Sequence, residues 1–224
     1  MKSLIKLSIV VLLLAMGTES FAQTFGVRAG LNLSNMLAKD EDGTYSDDFK
    51  MNPGFHIGPT MELPINEMFT FETALLLSTK GFKMSEKESF NGDTYEAKVK
   101  LNLLYLDIPL TAKASFDVGG VKLFGTFGPY IGIGLSGKAK YEETYNGETD
   151  KEEEDINFGS DEDEDDFKRL DWGLTAGVGV ELNSIQISVN YGLGLANISS
   201  YTQDGNKVNN RVLGVSVGYK FGGK

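Results

Sequence analysis

The sequence predicts an all-β chain: an eight-stranded antiparallel up-and-down transmembrane β-barrel with short periplasmic turns and long extracellular loops. Three observations predict it. Residues 172–195 read as a two-faced hairpin. The same period-two pattern recurs along the rest of the chain. The connections between the patterned stretches alternate strictly between long and short.

The hairpin is the clearest stretch. Trp172, Leu174, Ala176, Val178, Val180 and Leu182 are apolar, with Asp171, Gly173, Thr175, Gly177, Gly179 and Glu181 between them. Period two is the signature of a strand with two different faces. After Asn183-Ser184 the parity switches, and Ile185, Ile187, Val189, Tyr191, Leu193 and Leu195 become the apolar row. A two-residue loop that sets Leu182 opposite Ile185 requires that switch, because it keeps both apolar rows on one face.

The other strands follow in order. The first covers about 24–35, with Phe25, Val27, Ala29, Leu31 and Leu33 alternating with Gly26, Arg28, Gly30, Asn32 and Ser34. The second covers about 53–63, with Phe55, Ile57 and Met61 against His56, Thr60 and Glu62. The third, about 69–80, sets Phe69, Phe71, Leu75 and Leu77 against Glu72, Leu76, Ser78 and Lys80. The fourth, about 99–114, sets Leu104, Leu106, Ile108 and Leu110 against Leu103, Tyr105, Asp107, Thr111 and Lys113. The fifth, about 121–135, sets Leu123, Phe127, Ile131 and Ile133 against Lys122, Phe124, Thr126 and Tyr130. The hairpin supplies the sixth and seventh strands. The eighth, about 210–221, sets Leu213, Val215, Val217, Tyr219 and Phe221 against Val212, Gly214, Ser216, Gly218 and Lys220.

The long connections cover about 36–52, 81–98, 136–168 and 197–209. A soluble, lipocalin-like barrel has no reason to keep every long loop at one end. An outer-membrane barrel does, and strands of about ten residues suit a tilted crossing. A closed barrel also pairs every backbone group, as hydrocarbon demands. Arg28, Glu62, Glu72, Asp107, Lys113, Lys122, Glu181 and Lys220 lie on the polar face, four basic and four acidic, and are expected to pair in the lumen. The apolar face carries Phe25, Phe55, Phe69, Phe71, Trp172, Tyr219 and Phe221 near strand ends, which suits interfacial girdles.

Composition closes several function classes. The chain has no cysteine, which excludes a disulfide framework, a thiol nucleophile and a lipoprotein anchor, and one histidine, which excludes a His-rich metal site. The net charge of −11 is concentrated in residues 142–166, which hold 14 acidic residues and one lysine, Lys151. No basic nucleic-acid surface is present. Lys2 and Lys6, the apolar run LSIVVLLLAM (7–16) and Ser20-Phe21-Ala22 read as a signal peptide over 1–22, cleaved before Gln23, with the barrel domain over 23–224.

The candidate chemistry is sparse. His56 falls on the inward face, but nothing in the sequence places a serine beside it to make a nucleophile–base pair, and it is read as a lumen-packing histidine. Asp107, Glu62, Glu72 and Glu181 share that face with Arg28, Lys113, Lys122 and Lys220, so salt-bridged filling is the expectation over a catalytic carboxylate pair. The acidic stretches 152–155 and 161–166 lack the ligand-and-glycine spacing of an EF-hand loop, so a solvated loop is expected, with weak divalent-cation binding or a basic partner protein as alternatives. The Gly-X-Gly triplets at 132–134, 177–179 and 192–194 open no helix and are read as small lumen residues. No catalytic, cofactor-binding or metal-ligating residue is assigned.

Residues 24–36 (TFGVRAGLNLSNM) resemble the first strand of the PorT-like outer-membrane β-barrel family of Bacteroidetes-type bacteria. Residues 103–110 (LLYLDIPL) resemble that family's fourth-strand motif and 127–134 (FGPYIGIG) its fifth. The resemblance runs over the whole mature chain and departs from the family in the acidic third loop and the Gly-Gly-Lys tail. It implies an outer-membrane barrel, inserted by the barrel assembly machinery. The family is functionally broad, and its name-bearing member takes part in protein secretion and gliding.

The expected function is therefore a monomeric, non-enzymatic outer-membrane protein, in contact with lipid and lipopolysaccharide, that serves envelope structure or surface interaction through its extracellular loops. The alternatives are a secretion or assembly component, a lipid-modifying barrel enzyme and a soluble lipocalin-like carrier.

Overall fold

A computed structural model of the chain describes residues 23–46, 49–90 and 93–221; the expected signal peptide and the Gly-Gly-Lys tail lie outside them. No helix among the described residues is long and apolar enough to cross a membrane. The strands are β1 (Thr24–Lys39), β2 (Lys50–Pro64), β3 (Phe69–Ala74), β4 (Leu76–Lys80), β5 (Phe82–Phe90), β6 (Asp93–Val118), β7 (Val121–Tyr145), β8 (Glu148–Ile156), β9 (Leu170–Leu182), β10 (Ile185–Gly194) and β11 (Lys207–Phe221).

All pairings are antiparallel. β3, β4 and β5 face β6 in a single register, with Phe69 opposite Ala114, Leu76 opposite Asp107 and Lys83 opposite Lys100, so they act as one long strand. The break at Leu75 falls where Pro59 and Pro109, which bring no N–H, sit on the flanking strands. The ring then runs β1, β2, β3–β5, β6, β7, β9, β10 and β11, and β11 returns to pair β1 from Phe25↔Phe221 to Lys39↔Lys207. Eight walls result, as the periodicity predicts.

The short turns sit together at the periplasmic end. Gly119 (φ 66°) and Gly120 (φ 90°) both take left-handed backbone, the condition for a two-residue hairpin turn that matches strand twist. Asn183 (φ 54°) opens the β9–β10 turn, and Leu182 faces Ile185 as expected.

Burial is inverted relative to a soluble protein. Leu31 is 69% exposed and Val178 66%, while Lys113 is 2% exposed and Glu72 3%. The apolar face therefore lies outward and the polar face lines the lumen. Phe25, Phe69, Tyr219 and Phe221 are exposed at the periplasmic end and Phe55, Tyr191 and Trp172 farther up the wall, as two girdles require.

Two loop expectations are corrected. Residues 81–98 are not a loop: Gly81, at φ 135°, lets the chain bend into β5, which pairs the distal half of β6. Residues 136–168 are not one loop either: β7 runs on to Tyr145, turns at Asn146-Gly147 and returns as β8. The backbone ladder simply continues past the membrane. With no oil on either side there is no apolar alternation, so the strands carry no period-two signal in the sequence.

The wall orientation is testable at Val178, which lies mid-strand opposite Val189 and Gly125. Val178→Arg is expected to lower the unfolding free energy in lipid vesicles by about 2–4 kcal/mol, whereas Val178→Leu changes it little. Urea titration of the refolded protein checks this.

Candidate functional site

The lumen is filled in layers. At the periplasmic end, Lys113 Nζ lies 2.7 Å from Glu62, 3.3 Å from Glu181 and 3.8 Å from Glu72. Lys220 reaches Glu181 at 2.5 Å and Glu62 at 3.5 Å, and Arg28 reaches Glu72 at 2.6 Å. Gln186 donates to both Glu62 (2.7 Å) and Glu181 (2.9 Å). Three bases meet three acids, so the layer is neutral. Lys113 also rests 4.2 Å from the centre of the Phe124 ring.

The next layer up is neutral and polar. His56 Nδ1 lies 2.7 Å from Asn32 Oδ1, and Nε2 lies 2.8 Å from Ser216 Oγ. The Asn32 amide nitrogen donates to the carbonyls of Phe55 and Thr79, which leaves its oxygen facing the imidazole. Nδ1 therefore carries the proton and Nε2 accepts from Ser216. The sequence could not place this serine: strand parity puts both inward, but only the ring closure through β1 brings β2 and β11 to the same spot. A chamber of about 110 Å³ lies here, lined among others by Asn32, His56, Thr126 and Asn190, with room for about three or four waters at ~30 Å³ each.

Above it, Lys80 is held between Asp107 (2.8 Å) and Asp171 (2.9 Å). Asp171 also accepts from Tyr130 (3.1 Å) and Asn210 (3.0 Å), and the ammonium sits 4.5 Å from the Tyr105 ring and 4.6 Å from the Tyr130 ring. An apolar cap of Met36, Leu101, Leu103, Ala139 and Ile198 then closes the extracellular mouth. Phe49 and Phe82, stacked at 3.8 Å, pack against it.

The expected pairing of Arg28, Lys113 and Lys220 with Glu62, Glu72 and Glu181 is met. Lys122 is corrected: it is exposed at the end of β7 beside the turn, and it makes no ion pair among the described residues. Asp107 pairs with Lys80 rather than with the periplasmic set. Lys80 and Asp171 have inward parity in the sequence; what the pattern lacks is height, which the register around the ring supplies.

Beyond the cap, β5, β6, β7 and β8 form a four-stranded sheet. Strands β6 and β7 are 26 and 25 residues long, where about 9–11 suffice to cross a bilayer. Both outer edges are open. β8 pairs only β7, and β5 meets β2 only at Lys50↔Lys83 and Met51↔Phe82 among the described residues. Part of the acidic segment 142–166 is thus regular strand. Its remainder folds on itself, with Asp165 accepting from the Asp161 amide (2.9 Å) and Asp166 from the Asn157 amide (2.8 Å). No cluster fit to hold a metal ion occurs among the described residues.

The Lys80 layer yields a stability prediction. Lys80→Met leaves Asp107 and Asp171 as unpaired buried carboxylates and is expected to destabilise the barrel by about 3–5 kcal/mol. Adding Asp107→Asn and Asp171→Asn to the same chain is expected to recover most of the loss, read by urea unfolding in detergent micelles.

Among solved structures, the chain is similar to Ail, the attachment invasion locus protein of Yersinia pestis, at 17% identity and a TM-score of 0.35 over 88% of this chain and 98% of that one. It is similar to neisserial surface protein A at 16% identity and a TM-score of 0.42, over 88% and 97%. It is similar to the outer membrane protease OmpT from Escherichia coli at 10% identity and a TM-score of 0.32, over 92% and 99%. No curated protein matches the chain significantly. The family model described as an outer membrane protein beta-barrel domain matches residues 21–200, and with that match, the inverted burial and the eight-walled ring, the chain belongs to this family and resides in the outer membrane.

Proposed function

We propose that the chain is a monomeric, non-enzymatic barrel that works by surface interaction, with the sheet β5-β6-β7-β8 as its working part. Residues 1–22 direct export, the barrel assembly machinery inserts the domain, and the wall contacts outer-membrane lipid and lipopolysaccharide. The observation that carries this reading is the extra length of β6 and β7, which adds nothing to the membrane crossing and holds two open strand edges clear of it. An open edge is a template for pairing with another chain.

The lumen supports the non-enzymatic part. Ser216, His56 and Asn32 have the order of a nucleophile, base and orienting group, but they lie inside the lumen between two ionic layers. The PorT-like resemblance supports a secretion component as the alternative, which failure of protein export in a deletion strain would favour.

A photo-crosslinking residue at Ser89 or Thr149 in cells of the native host is expected to give discrete protein adducts, and one at Val178 only lipid adducts. Sheet positions that yield no protein adduct would sink the reading. His56→Ala is expected to leave lipid A unchanged; loss of a lipid A modification would make the barrel an enzyme.

A further inference from the structure

The register of the extracellular sheet sorts its charges by face. On the face that continues the lumen side, Glu86 and Glu88 come from β5, Asp93 from β6, Glu143 from β7, and Glu148, Asp150, Glu152 and Glu154 from β8. Interleaved with them are Tyr95, Tyr141 and Tyr145. That is eight carboxylates between Met84 and Glu154 with no lysine among them. The opposite face carries seven lysines, two each from β5, β6 and β7 and Lys151 from β8, with four acids.

The ion pairs follow the same division. Lys98–Glu96, Lys138–Glu153, Lys138–Asp155, Lys140–Glu153 and Lys151–Glu142 all lie on the lysine face. There, Lys151 holds the Glu142 carboxyl, and Lys140 the Glu153 carboxyl, below the usual carboxylate range. On the acidic face no carboxylate of the sheet has a cation partner among the described residues. Desolvation and the carboxylates of Glu143, Glu86 and Glu88 push the Tyr95 phenol up, and desolvation with Glu154, Asp166 and Glu152 does the same to Tyr141. Glu143 stands directly across from Asp150, a like-charge cross-strand pair that weakens the sheet. Solubility asks only for charge. It does not ask for the unpaired carboxylates to gather on one face, interleaved with exposed tyrosines.

We infer that this face docks a basic, extended polypeptide segment, laid along the open edge of β8 with lysine or arginine at alternate positions. The inference rests on the surface-interaction reading and names its partner. Same-face residues on a strand recur about every 6.6–6.8 Å, so alternate cations meet Glu148, Asp150, Glu152 and Glu154 in step. Tyr141 and Tyr145 offer ring faces to the same cations. A second copy of this chain is the wrong occupant, because β8 against β8 sets acid on acid.

The test uses the full mature chain in detergent micelles and a fluorescent ten-residue peptide of alternating lysine and threonine. The face variant is Glu143→Gln/Asp150→Asn/Glu152→Gln/Glu154→Gln. The control, Glu96→Gln/Glu142→Gln/Glu153→Gln/Asp155→Asn, removes the same charge from the other face. Heat-modifiability on gels confirms that both fold. The unmodified chain is expected to bind, with affinity falling as salt rises, and the face variant to bind at least tenfold more weakly while the control binds as well or better. No binding, or equal weakening by both variants, would overturn the inference. If adducts from Ser89 or Thr149 persist in cells while the peptide fails to tell the faces apart, the surface-interaction reading stands and this inference alone falls.

Discussion

Every backbone N–H and C=O in the hydrocarbon must find a partner inside the protein, and the pairing of β1 with β11 is where that requirement is met for the ring as a whole. Without it, two strands would present a row of unpaired groups to lipid, each costing several kcal/mol. The ladder runs in unbroken register from Phe25↔Phe221 to Lys39↔Lys207. Once it closes, the curvature of the wall, the size of the lumen and the inversion of polar and apolar faces all follow.

Closure at eight strands leaves a lumen only as wide as the side chains that fill it. The polar face must therefore satisfy itself. It does so by height: a neutral six-charge layer at the periplasmic end, a hydrogen-bonded layer around His56, and Lys80 shared by two aspartates beneath an apolar cap. Breaking any one pair strands its partner in a poorly solvated place, so the filling holds as a set. The arrangement also accounts for the nucleophile-like trio. A serine, a histidine and an asparagine that share a crowded lumen will hydrogen-bond because each has few other partners.

Outside the membrane the constraint changes. Backbone groups can reach water there, so closure is no longer required. Only three walls, β3–β5, β6 and β7, continue there, joined by β8 into a sheet whose edges stay open. The two edge strands carry eleven charged residues, four on β5 and seven on β8, and such edges resist indiscriminate pairing.

The sequence alone determined what depends on contact with a uniform medium. Lipid on one face and a packed polar lumen on the other impose period two, so eight strands, their inward residues and the ends of the chain's turns were legible in the alternation from Phe25 to Phe221. The register of the 172–195 hairpin was legible too, because a two-residue turn permits one pairing. What depends on contact between distant strands was left to the tertiary structure. Parity gave His56, Asn32 and Ser216 one face but not one height; it listed Lys122 with the lumen charges, although the end of β7 leaves it in solvent. The strands β5 and β8 carry charge on both faces because water bathes both, so nothing in their order of residues announced a strand. Their division into an acidic face and a lysine face emerged only when the register set Glu143 beside Asp150 and Lys140 beside Glu153.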